Sequence, residues 1–123
     1  MSSEAAFRVR WTRFLNALER LIGKRPKDVN SILFLIGIQE LGKGALHFSK
    51  EEKQDLIHMG LCKVMSKAGY YRFSHIDDEG WHHWEVAKPI PPQGLIEQEK
   101  LIKTHLMSYF VDEGVLPENF DAA

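Results

Sequence analysis

A chain of 123 residues with 44% hydrophobic and 27% charged residues has the composition of one folded domain and leaves no room for a second core. One cysteine, Cys62, rules out an intramolecular disulfide, and the longest apolar run, Ile32 to Ile38, is far short of the roughly 20 residues a membrane span needs. Net charge is −1 but unevenly laid out: residues 1–27 carry +5 and residues 28–123 carry −6, which suits either nucleic-acid contact or packing of one half on the other.

The N-terminus has no apolar core of a signal peptide, so a cytoplasmic location is expected by default. A first helix is predicted over Ala5–Ile22. Phe7, Trp11, Phe14, Leu15, Leu18, Leu21 and Ile22 recur at helical spacing, and Arg8, Arg10, Arg13 and Arg20 make a basic back. Gly23 and Pro26 end it. A second helix begins after Asp28 or Asn30 and ends near Leu41–Gly42. Its middle is apolar on every side, which predicts a central, buried helix.

Ser49 with Glu52 three residues on is a capping box for a third helix ending near Lys67. Its apolar arc, Leu56, Ile57, Leu61, Val64 and Met65, is centred on Gly60, where another backbone is expected to approach closely. From Tyr70 to Val86 the period changes to two, and Asp77–Gly80 is a turn signal, so a hairpin follows. A four-residue loop pairs Tyr71 with Val86, Arg72 with Glu85, Phe73 with Trp84, Ser74 with His83, His75 with His82 and Ile76 with Trp81. That register puts the aromatic pairs on one face and is preferred for it.

Pro89, Pro91 and Pro92 make a stiff connector to a fourth helix over Leu95–Val111, with Leu95, Ile102, Leu106, Tyr109 and Phe110 expected to face inward. The predicted fold is therefore mainly α, a four-helix domain over residues 1–114 with a central buried helix and one antiparallel β-hairpin between helices 3 and 4. Residues 115–123 read as a loose acidic C-terminal tail.

Chemistry has two candidate locations. Asp55, His58 and Cys62 share one helix face at metal-ligand spacing, and imidazole with thiolate would suit zinc, although no other helix supplies a clear second half. A partly exposed polar face is the plainer account of the same three residues. At the hairpin tip, His75 and His82 would face each other, with His83 on the reverse side and Trp81 free to face outward. Phosphate-binding glycine loops, dinucleotide fingerprints and serine-nucleophile motifs are absent.

The order helix, helix, helix, hairpin looks like a winged-helix arrangement, but the third helix opens Lys50-Glu51-Glu52 and the turn is Asp77-Asp78-Glu79, which repel a phosphate backbone. The preferred expectation is a non-enzymatic interaction module that forms a homodimer or meets a protein partner. Its contacts are assigned to Arg10, Arg13, Arg20, His75, Trp81, His82 and His83. A metal protein using Asp55, His58 and Cys62 is the alternative from another class, and a nucleic-acid binder is the third.

Overall fold

The computed structural model describes residues 2–44 and 47–122. Four helices, α1 (Ser3–Ile22), α2 (Val29–Leu41), α3 (Lys50–Ser66) and α4 (Leu95–Asp112), enclose the core, and strands β1 (Tyr71–Ile76) and β2 (His82–Val86) form an antiparallel hairpin between α3 and α4. The mainly α reading of the sequence holds, element by element.

Local chemistry sets the helix ends. The Asp28 side chain accepts from Ser31 N–H at 2.8 Å and starts α2. Ser49 and Glu52 satisfy each other's backbone N–H groups at 3.1 and 2.9 Å, which completes the capping box on α3. The Ser2 hydroxyl accepts from Ala5 N–H at 3.1 Å and caps α1, which starts at Ser3, two residues before the predicted start.

The main core joins α1 (Phe14, Leu18), α2 (Ile32, Leu33, Ile36), α3 (Val64, Met65) and α4 (Leu106, Met107). Phe14 is its aromatic centre, with rings of Trp11, Phe110 and Phe120 at 5.0, 5.5 and 5.8 Å. A full burial of such a side chain stabilises by about 1.5–3 kcal/mol. A smaller cluster of Leu41, Leu56 and Met59 lies under Trp81 and the loop at Phe48.

The closest packing in the molecule is between α2 and α3. Gly37 faces the backbone carbonyl of Leu56, and Gly60 faces that of Leu33, so each helix presses its backbone into the gap left by the other's missing side chain. The approach expected at Gly60 is there, and Gly37 is its reciprocal partner. With no Cβ at either position, the two helices meet backbone to backbone. α2 buries Ile32, Leu33, Ile36, Gly37 and Leu41, but Leu35 opens to solvent, because α3 and the core cover only part of its circumference.

Two expectations change. Residues 115–122 are no loose tail: Leu116 and Phe120 are buried in the main core, and Arg10 Nε meets Asp121 Oδ2 at 3.0 Å while Arg13 Nη1 donates to the Asp121 carbonyl at 2.6 Å. Two apolar side chains in an acidic stretch are enough to dock it once basic α1 lies alongside. Leu95, expected to face inward, is instead exposed, as is every residue from 91 to 100. The proline-rich connector carries the first turn of α4 beyond the core.

Candidate functional site

The hairpin and the face of α3 below it bring together most of the titratable chemistry. Register decides how. The pairs Tyr71–Val86, Arg72–Glu85 and Phe73–Trp84 form as predicted, but a β-bulge at Ser74 then pairs His75 with His83 and Ile76 with His82. The loop is thus five residues, Asp77 to Trp81. The cause is Asp77, whose Oδ1 accepts from the Glu79 and Trp81 N–H groups at 2.9 and 3.0 Å and so organises a wider turn. Gly80, at φ 91°, supplies the left-handed residue that the turn needs. One extra residue in β1 absorbs the parity change, and the aromatic pairs keep their register.

The expected facing of His75 and His82 is therefore replaced by a His75–His83 pair, whose rings stack at 4.6 Å and 3°. His83 Nε2 lies 2.8 Å from Asp77 Oδ2, and this bond, with those from the turn amides, holds the Asp77 carboxyl below its ordinary range. His82 points the other way, its Nδ1 at 3.6 Å from Glu40 of α2, which also meets Lys63 of α3 at 3.6 Å. Trp81, expected to be free, is half-buried on Leu41, Leu56 and Met59. The wide turn folds the indole back over that small apolar cluster.

On α3, His58 Nε2 lies 3.4 Å from Cys62 Sγ, and the His58 ring stands edge-on to Tyr71 at 6.0 Å. Cys62 is fully buried, and desolvation pushes its thiol up to about 12, which disfavours the thiolate that a metal requires. Asp55 is exposed and lines the same groove as His58, between α3 and the hairpin, which the buried Cys62 does not line. Among the described residues no three His, Cys, Asp or Glu side chains are grouped to hold a metal ion. Asp55, His58 and Cys62 therefore do not fit zinc as they stand.

Between α3 and the hairpin runs a groove of about 530 Å³. α3 contributes Glu52, Asp55, His58 and Met59; the turn and β2 contribute Asp77, Glu79, Trp81, His82, His83 and Trp84. Carboxylates thus come from both α3 and the turn, three imidazoles (His58, His82 and His83) line the groove with them, and no Lys or Arg does. Trp84 Nε1 is buried without a partner, the one such side-chain atom among the described residues. An unmet buried donor costs about 1–3 kcal/mol.

The basic residues expected on an interaction surface divide. Arg10 and Arg13 hold the C-terminal segment, with the Arg10 guanidinium 5.0 Å above the Phe120 ring, whereas Arg20 stays exposed. Part of the charge asymmetry is thus internal packing. Sequence reasoning missed the hairpin's open apolar side chains, because periodicity identifies a face without saying whether anything covers it. Phe73, Ile76 and Val86 are 46%, 55% and 66% exposed. Leu95 and Ile96, at 83% and 79%, form a second open apolar pair. No helix among the described residues is long and apolar enough to cross a membrane. No protein-family model, no curated protein and no solved structure matches this chain.

Proposed function

We propose that the protein is a non-enzymatic interaction module that pairs with a second copy of itself through its hairpin. The observation that carries this reading is exposed apolar surface on that hairpin: Phe73, Ile76 and Val86 lie on the sheet side that also carries the half-buried Tyr71, Trp84 and His82, yet each is more than two-fifths exposed. A two-stranded sheet has an unpaired outer edge on each strand, and such edges pair readily with another strand. An edge of this kind is self-complementary, since it offers alternating donors and acceptors to its own copy about a two-fold axis. A net charge of −1 adds little repulsion between copies. His75 and His83 lie on the opposite face, where they would flank the contact.

Sedimentation equilibrium across a dilution series tests the reading. The wild-type chain is expected to show a concentration-dependent shift from monomer to dimer mass. Ile76→Lys and Val86→Lys, both at exposed positions, are expected to hold it monomeric with an unchanged circular dichroism spectrum. A wild type that stays monomeric at the highest concentration, or lysine variants that dimerise as well as it does, would overturn the proposal.

A further inference from the structure

We infer that the last turn of α1, with the loop that follows it, binds a membrane surface rich in anionic phospholipid. Residues 19–25 are exposed without a break. Glu19 to Ile22 make one complete turn of α1, so no side of that turn is covered and the helix end projects from the core. The apolar stripe of α1 continues into this end. Leu21 and Ile22 follow the buried Leu18 by three and four residues, yet they are 56% and 47% exposed.

Charge names the occupant. The acids nearby are already engaged: Glu19 pairs with Arg25 at 3.3 Å, and Asp28 accepts from Ser31 N–H and Oγ at 2.8 Å in the cap of α2. Arg20, Lys24 and Lys27 are exposed and have no ion pair among the described residues. Two open aliphatic side chains thus share one projecting end with three uncompensated cations.

An anionic bilayer surface supplies both complements. Its headgroups attract lysine and arginine, and its acyl boundary takes up aliphatic side chains. The long stems of Arg20, Lys24 and Lys27 let their charges stay at headgroup level while Leu21 and Ile22 enter. A nucleic acid would leave the two aliphatics exposed, and residues 19–28 hold no aromatic ring to stack on a base. The contact is peripheral and needs no spanning helix, which no described helix could supply. It belongs to α1 and the loop before α2, not to the hairpin, and does not depend on self-association.

The test is flotation of the full chain with vesicles of phosphatidylcholine, with and without phosphatidylserine as the minor component. The wild type is expected to float only with the phosphatidylserine vesicles, and less as salt rises. Arg20→Gln/Lys24→Gln/Lys27→Gln is expected to bind them about a hundredfold more weakly, for three surface cations lost. Leu21→Ser/Ile22→Ser keeps every cation and is expected to lose about tenfold or more, because its aliphatic burial is gone. All five positions are exposed, so the circular dichroism spectrum should not change. Ile76→Ser/Val86→Ser strips aliphatics from the hairpin and is expected to float like the wild type. No flotation, equal flotation with both vesicle types, undiminished binding by either α1 variant, or loss of binding in the hairpin variant overturns the inference. Soluble poly-glutamate held as tightly as the vesicles would assign this end of α1 to an acidic protein and overturn it equally.

Discussion

Adding one methyl group at Gly60 should destabilise the protein even though alanine is the better helix former. An ideal Cβ there stands 2.9 Å from the carbonyl carbon of Leu33 and 3.2 Å from its Cα, and closer still to its oxygen. Carbon atoms at rest against each other keep about 3.5–4.0 Å, so α2 and α3 would have to part by roughly 1 Å. The obstacle is backbone in the middle of a helix, and no rotamer change removes it. Overpacking of this kind costs about 1–3 kcal/mol, and the rigid neighbour argues for the upper end. Against this, Gly→Ala within a helix contributes about 1 kcal/mol of propensity. The difference is a net loss of about 2 kcal/mol.

Urea unfolding followed by circular dichroism would read this as a lower midpoint with an unchanged slope. Gly37→Ala should behave alike, since its Cβ would meet the Leu56 carbonyl carbon at 2.7 Å. The double variant should lose less than the sum, because the first methyl already parts the helices that the second needs parted. If Gly60→Ala were as stable as the wild type or more so, propensity would be governing the site and the close-approach argument would be wrong.

Two other perturbations test the remaining architecture. Phe120→Ala should cost about 3 kcal/mol, the low end for a buried aromatic, whereas Asp121→Asn, at a part-exposed ion pair, should cost less than about 1 kcal/mol. Equal and small effects in thermal melts would mean that residues 115–122 are not docked as described. Acid should loosen the hairpin tip. The Asp77 carboxyl is held low in the fold, so its stabilising contribution is complete above the ordinary carboxylate value of 3.8 and is lost as pH falls below that and through its folded value. The Glu79 and Trp81 amide resonances should titrate together with Asp77 in that range. Asp77→Asn should remove the transition, and amide shifts that do not change below pH 4 would contradict the account.

Much of this molecule is determined by short-range chemistry that a sequence displays. Asp28, the Ser49–Glu52 box and the Asp77–Gly80 turn signal act on neighbouring residues, so the elements they bound are legible one by one. Apolar spacing made Phe14, Leu18, Ile32, Leu56 and Leu106 readable as core, and Gly60 as a point of close approach. What the tertiary structure alone decided depends on groups far apart in the chain. The bulge at Ser74 follows from how many turn amides Asp77 gathers, and that one residue exchanges His82 for His83 opposite His75. Arg10 and Arg13 look like a free basic surface until Asp121, more than a hundred residues later, returns to them. Trp81 looks exposed until Leu41 and Met59 arrive beneath it, and Leu95 looks buried until the prolines carry it past the core. Periodicity records which side of an element is apolar; only the folded chain decides what, if anything, covers that side.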